Sequence, residues 1–212
     1  MCRTIVITSG KGGVGKSSVT INLGYALAHT NKKVCLIDAD FGLKNLDVML
    51  GLENRVIYDL KDVISNKCSL QQILVKDKRM PSLYLLPACK ALSFENLNLD
   101  YMIKVVEQLK KDFDYILIDA PPVGVVTDAA VLSQVTDGYI VVAAVNVTNK
   151  EGVRMALETL RNINANVVGV VANNAPVSKR SGYYYYYSAY EEDQHPSKKE
   201  KKQRKIKEKK GK

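Results

Sequence analysis

Short apolar runs alternate with amphipathic stretches along residues 1–172 of the chain. A short apolar run bounded by turn residues predicts a buried strand, and apolar residues that recur every three or four positions predict a helix with one buried face. The segment 99–111 shows the helical spacing clearly, because its apolar positions return on one side while its charges face water. The predicted strands are residues 4–8, 33–40, 83–86, 115–119, 138–145 and 167–172, and the predicted helices are residues 18–29, 60–65, 70–75, 99–111, 131–135 and 150–162.

This order of elements predicts an α/β fold. Strands that alternate with helices, joined by right-handed crossovers, give a mostly parallel sheet with helices on both faces, which is a doubly wound architecture. Apolar periodicity ends after Pro176. We therefore expect one domain over residues 1–176, followed by a flexible, solvent-facing tail over residues 177–212.

The net charge of +9 is concentrated in that tail. Residues 198–212 contain ten Lys or Arg and two Glu, a net of +8, so the rest of the chain carries only +1. A basic segment of this kind suits an anionic membrane surface or an acidic partner. It lacks the interleaved aromatic residues that stack on bases, which argues against nucleic acid. Ile206 is its only strongly apolar residue, too little for an amphipathic membrane helix.

The cysteines and the start of the chain bear on its location. The four cysteines are widely spaced and form no C-x-x-C pair, and the chain has only two histidines. Both observations argue against a zinc site. The chain enters a predicted strand almost at once, with neither a secretory signal pattern nor an apolar stretch of membrane-span length. We expect a cytoplasmic protein with reduced thiols, peripheral at the inner face of the membrane where its basic tail reaches it.

A glycine-rich loop lies between the first predicted strand and the first predicted helix. Residues 10–17 read G-K-G-G-V-G-K-S, and the strand and helix on either side give this Walker A pattern its meaning. Glycines let the backbone wrap around phosphate oxygens, and the N–H groups of the loop and helix N-terminus supply donors. The pattern predicts an ATP site in which Lys16 reaches the β- and γ-phosphates and Ser17 ligates Mg²⁺. The predicted nucleotide-binding residues of the loop are Gly10, Lys11, Gly12, Gly13, Val14, Gly15, Lys16, Ser17 and Ser18.

Two further predicted strands end in acids. Asp38 and Asp40 follow the strand that begins at residue 33, and Asp119 ends the strand that begins at residue 115. The carboxyl ends of parallel strands meet at the edge where ligands bind in such sheets. We expect Asp119 and Asp38 to serve the Mg²⁺ shell with Ser17, and Asp40 to lie near the attacking nucleophile as a catalytic residue.

The loop and the segments 36–47 and 52–60 resemble the MinD family, the ParA-related P-loop ATPases of bacterial division-site placement. The resembling part is residues 1–119 and includes S-G-K-G-G-V-G-K-S and L-I-D-A-D-F-G-L-K-N-L-D. The resemblance implies that Lys11 crosses an ATP-bound dimer interface to the partner's nucleotide. It also implies an ATP-driven dimer that associates with the membrane.

The segments 118–129 and 168–173, followed by a cluster of tyrosines, carry a second resemblance. From residue 120 onward the chain resembles the bacterial tyrosine kinases of capsule and exopolysaccharide synthesis, which share the P-loop ancestry. This resemblance implies that Asn173 lies near the nucleotide base, that the protein forms a ring oligomer, and that a membrane protein activates it. The implied phosphate acceptors are Tyr183, Tyr184, Tyr185, Tyr186, Tyr187 and Tyr190.

Both resemblances imply Mg²⁺-ATP and differ in the acceptor of the γ-phosphate. The acceptor is water in a MinD-like ATPase and tyrosine in an autokinase that regulates polysaccharide synthesis. The sequence favours the autokinase, because the last predicted strand leads directly into the tyrosines and a MinD-like domain would need further core elements. The MinD-like ATPase is the alternative, and a non-enzymatic nucleic-acid binder ranks below both.

Overall fold

Seven strands and six α-helices build the part of the chain that the computed structural model describes, namely residues 1–39, 46–88, 99–123 and 132–176. A short 3₁₀ helix, Glu53–Arg55, follows the second α-helix. The strands are β1 Arg3–Ser9, β2 Val34–Asp38, β3 Val75–Lys76, β4 Leu83–Leu86, β5 Tyr115–Asp119, β6 Gly138–Ala144 and β7 Val167–Asn173, and the helices are α1 Lys16–His29, α2 Leu46–Leu50, α3 Leu60–Ile64, α4 Leu70–Ile73, α5 Leu99–Leu109 and α6 Lys150–Asn162.

The strands form one sheet in the order β3, β4, β2, β5, β1, β6, β7. Every neighbouring pair is parallel except β3 and β4, which are antiparallel. Strand β1 lies between β5 and β6, so the loop that follows β1 emerges in the interior of the sheet's carboxyl edge. This arrangement confirms the predicted doubly wound, mostly parallel α/β fold.

Alternate residues of the central strands supply two separate cores. On β5, Ile116 and Ile118 face the core that contains α5 and α6, whereas Leu117 faces the core that contains Ile21 and Ala28 of α1. This alternation follows from the two-residue repeat of a strand. It places Asp119 on the same face as Leu117, toward α1, at the end of its strand.

Helix α1 lies unusually close to the sheet at Gly24. A Cβ built there would come within 2.7 Å of Leu36 Cδ2 and 3.3 Å of Leu83 Cδ1. A glycine costs helix stability, and this close approach is the physical reason for one here.

A buried acid fixes the side of α1 that faces β3 and β4. The Tyr25 hydroxyl donates to Asp77 Oδ2 at 2.9 Å, and the backbone N–H groups of Arg79 and Met80 donate to Asp77 Oδ1 at 2.7 and 2.9 Å. Burial alone would raise the pKa of Asp77, but these donors hold that pKa below its ordinary value. Burial and the neighbouring carboxylate raise the pKa of Tyr25 to about 12, so its hydroxyl stays a donor.

The structure corrects several element boundaries. The predicted helix 70–75 ends at Ile73, because the chain turns into the antiparallel strand β3, which pairs with β4. Helix α2 was not predicted, because its five residues are too few to show a repeat. Part of the predicted helix 131–135 lies outside the described residues; Leu132 is helical and residues 133–135 form a turn. The predicted tail 177–212 also lies outside the described residues.

Candidate nucleotide-binding site

The glycine loop connects β1, which ends at Ser9, to α1, which begins at Lys16. Gly13 and Gly15 have φ angles of +72° and +91°, a left-handed conformation that side chains rarely tolerate. The Ser9 hydroxyl donates to the Lys11 carbonyl at 2.7 Å and closes the start of the loop. A Cβ built at Gly12 or Gly13 would meet nothing within 4 Å, so the loop has open space in front of it.

The amino end of α1 is suited to an anion. Its N-cap is Gly15, which has no side chain to accept from the N–H groups of the first turn, and that turn contains no acidic residue. These N–H groups and the helix dipole favour a bound phosphate. The loop geometry and the helix end together form a cradle that fits the phosphates of a nucleotide.

The two lysines of the motif have different environments. Lys16 is only 7% exposed at the first turn of α1, whereas Lys11 is exposed on the outer part of the loop. A buried lysine in the first turn of α1 lies where its positive charge can neutralise phosphate charge. The Lys11 side chain on the same loop is open to solvent.

Ser17 and Asp119 are joined by a short hydrogen bond. Ser17 Oγ donates to Asp119 Oδ2 at 2.5 Å, and the Asp119 side chain is fully buried. Thr20 Oγ1 lies 3.5 Å from Asp119 Oδ1 and donates to the Lys16 carbonyl at 3.0 Å. A hydroxyl beside a carboxylate is the oxygen donor set that Mg²⁺ prefers, so these residues fit the ion. The pattern did not single out Thr20, although its position three residues after Ser17 places it on the same helix face.

Asp38 is brought next to Asp119 by the sheet. The two residues are register partners at the carboxyl ends of β2 and β5. Asp38 is 2% exposed, and its Oδ2 accepts from the Leu46 backbone N–H at 3.2 Å, at the start of α2. Asp38 thus combines a position beside the predicted metal site with a local role at a helix end.

The loop is also held from the side of β6 and β7. Asn173 Nδ2 donates to the Val14 carbonyl at 2.8 Å. A Cβ built at Gly10 would lie 2.3 Å from the Gly152 carbonyl oxygen in the first turn of α6. Sequence patterns gave no signal for the packing of Gly10 against α6, because nothing in residues 10–17 points to a partner 142 positions away.

The structure therefore brings together the loop, Lys16, Ser17, Asp38, Asp119 and Asn173 at one edge of the sheet. Asp40 and the six tyrosines lie outside the described residues, so their assigned roles stay predictions. The roles of Lys11 and Asn173 that come from resemblance also stay predictions.

A mostly parallel α/β sheet with a glycine loop between an interior strand and the following helix defines a P-loop nucleotide-binding domain. The family model described as "AAA domain" matches residues 2–172, and the chain belongs to this family. Its relatives place it among the P-loop ATPases of the MinD/ParA superfamily.

A curated relative, the septum site-determining protein MinD of Synechocystis, is 58% identical over 121 residues. The match covers 57% of this chain and 46% of the relative, so the chain spans less than half the length of that relative. A MinD from Bacillus subtilis is 52% identical over 122 residues, with 57% of this chain and 46% of the relative covered.

Solved structures similar to this chain include both MinD proteins and tyrosine kinase domains. The MinC:MinD cell division protein complex of Aquifex aeolicus matches with a TM-score of 0.70 and 40% identity, covering 80% of this chain and 68% of that one. MinD of Pyrococcus horikoshii, complexed with Mg-ADP, matches with a TM-score of 0.70 and 29% identity, covering 85% of this chain and 74% of that one. The BceF tyrosine kinase domain matches with a TM-score of 0.71 and 30% identity, covering 82% of this chain and 69% of that one.

Within the described residues, the helices are all too short or too polar to cross a membrane.

Proposed function

We propose that this chain is a MinD-like ATPase that binds Mg²⁺-ATP, dimerises in the ATP state and separates after hydrolysis. The observation that carries the Mg²⁺-ATP site of this proposal is the short bond between Ser17 and Asp119, which joins the phosphate loop to a buried acid at the neighbouring strand end. Identities of 58% and 52% to MinD proteins over about 121 residues support the ATPase over the autokinase. Over most of the chain, the MinC:MinD structure is 40% identical and the kinase domain 30% identical. The order of the two hypotheses from the sequence is therefore reversed.

The described residues supply the phosphate-binding and metal-binding parts that phosphoryl transfer to water needs. The loop N–H groups and the Lys16 ammonium hold the β- and γ-phosphates, and Ser17, Asp38 and Asp119 hold the metal shell. An Mg²⁺ ion held there would supply neutralisation of phosphate charge. Catalysis then rests on positioning and electrostatic stabilisation, and Asp40 is the proposed residue that orients the attacking water.

Lys11 is proposed to act across the dimer. Its exposure on the outer loop, in contrast to buried Lys16, leaves its ammonium available to a nucleotide held by a second copy. Sedimentation of the parent protein with a non-hydrolysable ATP analogue is expected to show a dimer. Lys11→Ala should weaken that dimer while nucleotide binding to the monomer is retained.

A matched control for Lys11 is Lys32→Ala. Lys32 is also an exposed lysine, but it follows the far end of α1, about 20 Å of helix away from the loop. Its replacement should leave dimerisation unchanged. A parent protein that stays monomeric with the analogue, or equal loss of dimer in both variants, would contradict the role of Lys11 in trans.

Tyrosine autophosphorylation is kept as a second candidate function. The similarity to the BceF tyrosine kinase domain and the run of five tyrosines at residues 183–187 favour it. Tyrosine has an ordinary pKa near 10, so Asp40 would have to accept or orient its proton during transfer. Each phosphate would add about −1.5 to −2 charges to the segment before the basic tail.

One reaction distinguishes the two candidates. The parent protein is incubated with Mg²⁺-ATP, and free phosphate and phosphotyrosine are both measured, beside a variant in which Tyr183–187 and Tyr190 are changed to Phe. Steady release of phosphate without phosphotyrosine supports the ATPase. Phosphotyrosine in the parent and its loss in the variant would establish the kinase instead.

Two kinds of partner belong to the proposal. A MinC:MinD complex is among the similar structures, which supports a partner protein that binds this chain. The +8 of residues 198–212 supports reversible attraction to an anionic membrane, at roughly 1 kcal/mol per basic residue near the surface. Co-sedimentation with anionic vesicles should fall as salt rises. Equal binding by a variant that ends at Pro196 would show that the basic segment is not responsible.

A further inference from the structure

Asn173 links the far side of the sheet to the phosphate loop. It is the last residue of β7, and its Nδ2 donates to the Val14 carbonyl at 2.8 Å, across 159 positions of sequence. Val14 itself is fully buried in the core beneath the loop. The bond therefore fixes a carbonyl of the loop immediately before the N-cap of α1.

Gly15, the residue after Val14, leaves room for the Asn173 amide. A Cβ built at Gly15 would lie 2.1 Å from Asn173 Nδ2, far below any normal contact distance. Gly15 also needs its φ of +91° to start α1. The absence of a side chain at position 15 thus serves the helix start and the approach of Asn173 together, one residue before Lys16.

The amide is held by a rigid part of the sheet. The Asn173 carbonyl accepts from the Val145 N–H at 2.8 Å, and Asn173 is the register partner of Ala144 at the end of β6. Strand β6 in turn pairs with β1, which leads into the loop. The start of the loop is therefore connected to β6 through β1, and its end is connected to β7 through Asn173.

We propose that Asn173 is a positioning residue for the phosphate loop, acting through the Val14 carbonyl. The inference rests on the proposed nucleotide site and deepens it. An Asn that acted only on the nucleotide base would affect ligands that carry a base. An Asn that shapes the loop affects every ligand that places phosphates in it, whether or not a base is attached.

The test compares ATP with inorganic tripolyphosphate, a probe that has the phosphates and no base. Binding of each, with Mg²⁺, is measured for the full chain and for Asn173→Ala. Loss of one neutral hydrogen bond is expected to weaken both ligands by about five- to tenfold, and to the same extent. Asn173→Asp, which keeps the shape but removes the donor, should weaken both ligands at least as much.

Asn166→Ala is the matched control. Asn166 Nδ2 donates to the Asp137 carbonyl at 2.7 Å, so it makes the same kind of bond just before β7, at the opposite end of that strand. This variant should bind both ligands like the parent. Thermal unfolding of all variants without ligand shows whether any loss of binding comes from loss of the fold.

Two results would overturn the inference alone. One is weaker ATP binding with unchanged tripolyphosphate binding, which would assign Asn173 to the base. The other is unchanged binding of both ligands in Asn173→Ala and Asn173→Asp. A parent protein that binds neither ligand would overturn the proposed nucleotide site, and the inference with it.

Discussion

Replacing Asp119 by Asn should separate metal-dependent binding from folding. Asp119 is fully buried and accepts from Ser17 at 2.5 Å, while Thr20 Oγ1 lies 3.5 Å away. The amide of Asn has the same shape and keeps one oxygen that can accept from Ser17. The substitution therefore removes a negative charge from the site without removing the bond to the loop helix.

The expected magnitudes differ for the two properties. A hydrogen bond to a charged group contributes about 1.5–3 kcal/mol and a neutral one about 1 kcal/mol. The stabilisation that is lost when the charged acceptor becomes a neutral one is offset by the removal of a buried charge beside Asp38. The free energy of unfolding should therefore change by only about 1 kcal/mol. Loss of a charge-assisted bond from the Mg²⁺ shell should weaken Mg²⁺-ATP binding by about 10- to 150-fold.

The assay measures ATP affinity with Mg²⁺ and with EDTA, together with thermal unfolding without ligand. Without Mg²⁺, affinity should stay the same or rise, because the replaced group is an anion close to the phosphates. Asp114→Asn is the control, since Asp114 accepts from the Lys33 N–H just before β5, at the end of that strand about 16 Å from the site. An equal loss of affinity with and without Mg²⁺ would refute the metal role of Asp119.

Three further predictions concern Lys16, Gly24 and Asp77. Lys16→Ala should abolish ATP turnover while the protein still folds, since no backbone N–H replaces a point charge on the phosphates. Phosphate release measures the turnover, and circular dichroism measures the folding. Turnover at the parent rate would remove the ATPase proposal. Gly24→Ala should destabilise by about 1 kcal/mol, lowering the melting temperature by roughly 2–4 °C, because forcing a methyl against Leu36 costs about 1–3 kcal/mol and the helix gains about 1. A rise in melting temperature would show that Leu36 moves aside freely. Asp77→Ala should cost about 1–3 kcal/mol at neutral pH by leaving the Tyr25 hydroxyl and two N–H groups without their acceptor. Because the pKa of Asp77 is lowered in the folded state, the part of this contribution that depends on its charge is full above the ordinary carboxyl pKa of about 3.9 and is lost as pH falls further. The stabilities of parent and variant in urea unfolding should therefore move closer together in acid. A difference that is unchanged in acid would contradict this account.

The sequence alone was sufficient to predict the elements whose residues show a regular apolar repeat or a local motif. Strand β4 has the predicted bounds, helix α6 also matches, and α1 begins two residues before its predicted start. These predictions succeed because a two-residue or 3.6-residue repeat is local and is visible in the order of the residues. The phosphate loop is equally local, since its glycines, lysine and serine act through one short stretch of backbone.

Contacts between distant segments were decided only by the tertiary structure. The register of β2 against β5 sets Asp38 beside Asp119, and the packing of α1 on the sheet brings Ser17 and Thr20 to the same acid. Asn173 reaches Val14 only because β6 lies between β7 and β1. No local repeat encodes strand order or register, because both depend on how all the elements share the two cores on either side of the sheet.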